Sequence, residues 1–265
     1  MQSPSTKPAI SVLVSTYNNL SFVEKKLAEI EQQTFFKRAE FIFIETASPE
    51  KERTRLAPFC QKYPNCRLIT LDERKTLYEA WNLGWEAAEA PFVCYTNMDD
   101  CMHPYLLEQV VAALQRHRWD ACSVLIAKQH ADDPSLDDWS IDRLQQLPLG
   151  LRPGPFTAWR KDLNKRIGTF DERFIIAGDK DLWARMRARN LRLGLVPNVL
   201  YLYTKDPERQ LSKSSVARKH DLDLSVHSPY PFRWSTRLRW RVVLLRTLLR
   251  FFPKAVTIDL KSKIV

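Results

Sequence analysis

A chain of 265 residues with 45% apolar and 11% aromatic side chains has ample material for one large core, which excludes intrinsic disorder as its dominant state. Lys and Arg number 41 against 31 Asp and Glu, a net charge of +10, but residues 226–265 hold nine bases against one acid, Asp259, and so carry +8 of that total. The first 225 residues are close to neutral, as in ordinary enzyme bodies, and whole-surface nucleic-acid binding loses its basis.

The five cysteines, Cys60, Cys66, Cys94, Cys101 and Cys122, are odd in number and lack zinc-ligand spacing, which points to a reduced, cytoplasmic chain. The polar residues 1–8 run straight into a strand-like segment, so no signal peptide is expected. The longest apolar stretch, residues 242–252, is broken by Arg246 and Arg250 and falls far short of the ~20 residues that cross a bilayer.

In chain order, residues 9–16 form a β-branched run ending in Tyr17-Asn18-Asn19, the pattern of a buried strand and its turn. Residues 20–33 place Phe22, Val23, Leu27 and Ile30 at near-helical spacing with charges between them. The alternation repeats, with strands over 41–44, 67–71, 92–96 and 121–127 and helices over 49–63, 76–90 and 104–117. This is the pattern of an α/β protein, a Rossmann-like and mostly parallel sheet with helices on both faces. Ligands in such sheets sit beyond the carboxyl ends of the strands, which singles out residues 15–19, 45–50 and 97–103.

After Lys128 the period breaks. Residues 130–154 hold five aspartates and three prolines and read as a long surface excursion. Regular structure returns over 160–168, then in a helix over 179–190 and a strand pair around 192–203.

Two carboxylate clusters could carry chemistry. Asn97-Met98-Asp99-Asp100 sets adjacent acids just past a buried strand, hard oxygen ligands suited to Mg²⁺ or Mn²⁺ with phosphate; the plain structural alternative is a turn or helix cap. Gly178-Asp179-Lys180-Asp181 opens a helix, where acids also complement the helix dipole. The small residues Ala177 and Gly178 would leave room for a substrate beside Asp179. Trp81 and Trp85, four apart on a helix, are expected in the core, whereas Trp159 after Gly154-Pro155-Phe156 is the candidate for stacking on a ligand ring.

Taken in order, residues 10–18, 41–50, Asn82 with Gly84, Asn97 to Asp100 with Pro104, residues 167–172 and residues 178–185 resemble family-2 glycosyltransferases of the GT-A fold, in register over roughly 8–215. The resemblance implies an inverting transferase that moves a sugar from a nucleotide-sugar, UDP-linked by family habit, to a hydroxyl of a glycan or lipid-linked acceptor. It assigns Ser15, Thr16, Tyr17 and Asn18 to the nucleotide pocket, with Asn82 also on the cofactor side. Glu45 and Thr46 stand where the family commonly has two acids, and Thr46 cannot supply the second carboxylate. Asp100 is implied as the ligand of Mn²⁺ or Mg²⁺, with Asp99 sharing the metal and the ribose, and Asp179 as the catalytic base. Tyr203-Thr204-Lys205 stands in place of a downstream histidine, with Lys205 or Arg209 as substitute positive charge.

Residues 1–225 are thus expected to be the catalytic domain and 226–265 a basic, amphipathic helical extension. Arginines interleaved with Trp234, Trp240, Phe251 and Phe252 suit the surface of an anionic membrane, making the enzyme peripheral at the cytoplasmic face. Packing on the catalytic domain or on a second subunit, which would make a homo-oligomer, is the other reading of the tail, and both stand open. No nucleic-acid module accompanies it. Two alternatives remain for the whole chain: a nucleotidyltransferase on a similar scaffold, against which stands the lack of glycine in residues 15–19, and a non-catalytic nucleotide- or glycan-binding relative.

Overall fold

The computed structural model describes residues 7–133, 138–150, 155–206 and 214–230. Strands β1 (Ile10–Thr16), β2 (Ala39–Thr46), β3 (Cys66–Leu71) and β4 (Phe92–Asn97) are all parallel, as their spacing by helices requires. Two short strands follow, β5 (Cys101–Met102) and, after β6 (Ala121–His130), β7 (Leu149–Gly150); β8 (Ala158–Arg160) and the long β9 (Leu193–Lys205) complete one sheet. Its order is β3-β2-β1-β4-β8-β6-β9-β5, with β7 beside β6. β8 lies antiparallel to both β4 and β6, so the sheet is mixed but mostly parallel.

The helices are α1 (Leu20–Glu31), α2 (Arg53–Lys62), α3 (Leu77–Ala87), α4 (Leu106–Arg116), α5 (Ile141–Gln146), α6 (Asn164–Ile167), α7 (Gly178–Ala188) and α8 (Ser215–Val226). Both faces of the sheet are covered, and the period-two alternation of the strands divides the core between them. Val12, Val14, Phe41 and Phe43 face α1, α2 and α4, whereas Leu13, Ile42 and Ile44 face α3 and α7. Gly84 lets α3 approach closely, since a Cβ there would stand 2.9 Å from Leu13. Thr76 starts α3 with a capping box, its hydroxyl accepting from the Glu79 amide while the Glu79 carboxylate accepts from Thr76.

Three expectations are corrected by tertiary structure. The helix expected from residue 49 begins at Arg53, because residues 47–51 form a turn in which Ala47 and Lys51 take φ of 50° and 56°. The strand pair expected around 192–203 is the single strand β9. Its ladder to β6 jumps from Val124↔Val196 to Leu125↔Val199, so Pro197 and Asn198 bulge out rather than turn the chain. The excursion after residue 130 folds back, with β7 on β6 and Trp139, Leu144 and Leu147 packed against Cys101, Ala127 and Leu202. All five cysteines are free, and among the described residues no helix is long and apolar enough to cross a membrane. The basic tail expected over 226–265 lies outside the described residues from 231 onward.

Candidate active site

Register places the polar strand ends side by side. Thr16 lies opposite Glu45 across β1 and β2, and Ser15 opposite Asn97 across β1 and β4. The β1–α1 turn is built against the β2–α2 turn by buried carboxylates. Glu52, fully buried, accepts from the Asn19 amide at 2.7 Å and the Thr16 hydroxyl at 3.1 Å, while the Ser48 hydroxyl accepts from the Asn18 amide at 3.0 Å. Asn18 takes φ of 55°, in the left-handed region that asparagine tolerates better than most residues. The Ser15 hydroxyl is held by the indole of Trp81 at 3.2 Å.

Of the residues expected around a nucleotide, Ser15, Tyr17 and Asn18 reach solvent. Thr16, Glu45 and Thr46 are buried. Glu45 accepts from the Ser48 amide at 2.8 Å and pairs with Arg53 at 2.9 Å, so its carboxylate shapes the turn beneath the cleft. Asn82 is likewise engaged within the protein: its side chain donates to the Phe170 carbonyl and the Glu172 carboxylate and accepts from the Phe170 amide, clamping α3 to the loop ahead of α7. Arg74, just past the end of β3, lays its guanidinium 4.3 Å from the centre of the Tyr17 ring. The strand-end rule reaches this residue too, once β3 is counted with β1, β2 and β4.

The two aspartates after β4 point differently. Asp99 keeps part of its surface in solvent. Asp100 is 2% exposed, and both its oxygens are engaged: one accepts from the Thr204 amide at 2.8 Å, the other from the Tyr201 hydroxyl at 2.8 Å and the Asn97 amide at 3.0 Å. Burial, and then the charge of Asp99, holds the Asp100 carboxyl well above the usual range. Lys26, itself buried and paired with Glu29, donates to the Asp100 carbonyl at 2.6 Å and ties α1 to the same turn. Asp100 thus points into the protein with three hydrogen bonds on its two oxygens, which counts against the metal-ligand role expected of it. Asp99 is the accessible carboxylate. Among the described residues no three His, Cys, Asp or Glu side chains form a cage.

Asp179 stands half-buried in the first turn of α7, accepting from the Lys180 amide at 2.8 Å. Burial pushes its carboxyl up to about 6, with the Lys180 charge opposing and the Asp221 charge assisting. Burial, and then the charge of Asp179, holds the Tyr78 hydroxyl well above its usual range. The room left by Gly178 is filled by Tyr78, whose ring would lie 2.8 Å from a Cβ there, not by open space for substrate as its small size suggests. The fully buried Tyr95, on β4, feels the charges of both Asp179 and Asp100, so the two carboxylate clusters share one neighbour.

Around it lies an aromatic floor. Trp81 stacks on Tyr95 with ring centres 3.9 Å apart, and Phe170 touches both. Trp159, expected on a sugar, is instead completely buried against Trp85, Tyr95 and Phe170. Lys205 ends β9, and Arg209 lies outside the described residues.

An open α/β sheet with a polar turn at each strand end, an accessible acid after β4 and a raised acid at a helix start is the layout of a nucleotide-sugar-dependent transferase. The chain belongs to glycosyl transferase family 2, whose model matches residues 11–168. It is 24% identical over 205 residues to the minor teichoic acid biosynthesis protein GgaB of Bacillus subtilis, covering 73% of this chain and 22% of that one. Among solved structures it is similar to S. aureus TarS 1–349 in complex with UDP-GlcNAc, at TM-score 0.66 and 16% identity over 96% of this chain and 77% of that one. The Pyrobaculum calidifontis mannosyltransferase PcManGT, in complex with GDP-Man and Mn²⁺, superposes at TM-score 0.62 and 18% identity, covering 95% and 73% of the respective chains. The chain spans only 22% to 36% of the length of the first curated relatives it matches. It has the GT-A fold.

Proposed function

We propose that this glycosyltransferase moves a sugar from a UDP-sugar to a hydroxyl of a glycan or lipid-linked acceptor with inversion, using Asp179 as general base. The carrying observation is the position of Asp179: half-buried, raised to about 6, and sharing Tyr95 with the acidic turn after β4. A carboxylate of that basicity is ionised at neutral pH yet accepts a proton more readily than an exposed one. The acceptor hydroxyl gives its proton to Asp179 as its oxygen bonds the anomeric carbon, and the bond from that carbon to the diphosphate oxygen breaks with its electron pair leaving on the diphosphate. One base suffices for such a single displacement.

Asp99 is the residue we assign to hold Mn²⁺ or Mg²⁺ together with the donor's phosphates. A bound ion would stabilise the charge that builds on the departing diphosphate. Ser15, Tyr17, Asn18 and Arg74 form the wall for the nucleotide, with Thr16, Glu45, Thr46 and Asn82 supporting it from behind. UDP is favoured by the likeness to TarS in complex with UDP-GlcNAc, and GDP-Man in the PcManGT complex makes GDP the competitor to test. The +8 charge of residues 226–265 suits an anionic membrane surface that would present a lipid-linked acceptor.

Thermal shift with UDP and GDP, each with and without Mn²⁺, tests donor and metal together. Stabilisation by UDP that depends on Mn²⁺ is expected. No shift with any nucleoside diphosphate, and no release of UDP from UDP-sugars with acceptor present, would sink the proposal in favour of a non-catalytic relative.

A further inference from the structure

Helix α8 docks in an unusual way. Of its twelve residues only Ala217 and Asp221, one turn apart, are buried, with Leu224 partly buried against the core, while Val216, Leu222 and Val226 stand 76%, 63% and 72% exposed. A helix that returns to its domain ordinarily does so through an apolar stripe. Between α8 and α7 there is instead a crevice of about 200 Å³, bordered by Phe174, Ile176, Lys180, Arg218, Leu222 and Tyr230.

The contact that spans it is polar. The Asp221 carboxylate, 3% exposed, accepts from the backbone amides of Ile175 at 2.9 Å and Ile176 at 2.7 Å, one on each oxygen. His220 lies 3.1 Å from the first of these oxygens. Burying a carboxylate costs far more than burying a leucine of similar size, and the two amide bonds offset that cost only in one geometry. The carboxylate thus fixes the backbone at 175–176, and that segment leads through Ala177 and Gly178 directly into Asp179.

We propose that Asp221 is a positioning residue for Asp179: by clasping the amides of Ile175 and Ile176 it sets the entry of α7 and so the place of the catalytic base. The inference rests on the reading of Asp179 as that base. A second effect follows from the same placement. The groups that face Asp179 are the hydroxyls of Tyr78 on α3 and Tyr95 on β4, the ammonium of Lys180 on its own helix, and Asp221 on α8. Asp221 is the negative one among them, and its charge keeps the base a stronger proton acceptor than burial and Lys180 alone would leave it.

The test is Asp221→Asn, which keeps the shape and one accepting oxygen but removes the charge and the second acceptor. Competent sites are counted by UDP titration and rates expressed per competent site. The expected result is a rate roughly tenfold lower with donor KM within about twofold of the parent, because the loss lies in orientation of the base rather than in donor binding. The acid limb of kcat/KM should move to lower pH, since the Asp221 charge raises the base. A variant whose rate per competent site and acid limb both match the parent overturns the inference, as does one whose whole loss is accounted for by fewer competent sites.

If the variant does not fold, hydrogen exchange at the Ile175 and Ile176 amides of the parent enzyme decides the matter. Protection supports the clasp, and exchange as fast as in an open loop overturns it. Failure of the base assignment reads differently. Asp179→Asn would then retain activity, whereas an inactive Asp179→Asn beside a parent-like Asp221→Asn removes the Asp221 inference alone.

Discussion

Tyr201 donates its hydroxyl hydrogen to the Asp100 carboxylate at 2.8 Å, and this bond turns one of two adjacent acids into the protein while Asp99 remains at the surface. Their replacements should therefore fail in different ways. Asp100→Ala takes the acceptor from the buried Thr204 amide, at about 1–3 kcal/mol if it is left unpaired, and removes one partner each from the Asn97 side chain and from the Tyr201 hydroxyl, which keeps Thr96, so a lowered Tm is its first effect. Asp99→Asn should melt near the parent but lose the Mn²⁺-dependent part of UDP binding and about a hundredfold or more in kcat. Thermal melts beside Mn²⁺ titrations distinguish the two; an Asp99→Asn enzyme with undiminished Mn²⁺ response would return the metal to other ligands.

The raised carboxyl of Asp179 gives a prediction with two signs. As a base it must be ionised, so kcat/KM should rise with pH and level off above about 6. For stability the direction is opposite. Between the ordinary carboxyl value of 3.8 and about 6 the folded chain holds a proton that the unfolded chain has released, so this group's contribution to stability falls as pH rises through that window. Asp179→Asn escapes the penalty. It should melt above the parent at about pH 7.5, with the gap closing toward about pH 4, while losing nearly all turnover. Melting curves across that range check the sign.

The strand and helix alternation as far as residue 127 was legible because each element carries its own period and its own turn residues. The same holds for the candidate site's location, since parallel strands put their carboxyl ends on one edge and polar residues mark those ends. What was not legible depends on partners far along the chain. Cys101 and Met102 are a strand only because Leu202 and Tyr201 pair with them, and Ala158 to Arg160 only because β4 and β6 leave a gap between them. Nothing near Asp100 says that it turns inward; the donors that hold it are Tyr201 and Thr204, about a hundred positions away. Asp221 is hidden for the same reason, as one acid on an otherwise unremarked polar helix until Ile175 and Ile176 are seen beneath it.

Trp159 separates packing from recognition. A ring that stacked on a sugar would lose acceptor affinity when trimmed, but this one is enclosed by Trp85, Tyr95 and Phe170. Trp159→Ala should cost about 3–5 kcal/mol of stability. Trp159→Phe, which keeps most of the volume, should leave acceptor KM within about twofold of the parent. A tenfold rise in acceptor KM with an unchanged Tm would contradict the buried placement.

The pairing of Arg74 with Tyr17 makes the last prediction. The guanidinium over the ring is worth roughly 0.5–2 kcal/mol by itself, and it sits at the end of β3, on the edge where the other strand ends converge. A planar cation so held can meet a base face or a phosphate without first being ordered. Arg74→Ala should therefore weaken UDP binding by about fivefold to thirtyfold, and Arg74→Lys, which keeps the charge but loses the plane, should recover only part of it. Tyr17→Leu should reproduce much of the loss while Arg74 remains, because the arginine then has no platform. If instead Tyr17→Leu leaves UDP affinity intact and Arg74→Ala does not, the arginine acts through charge alone and the stacked pair has no part in binding the nucleotide.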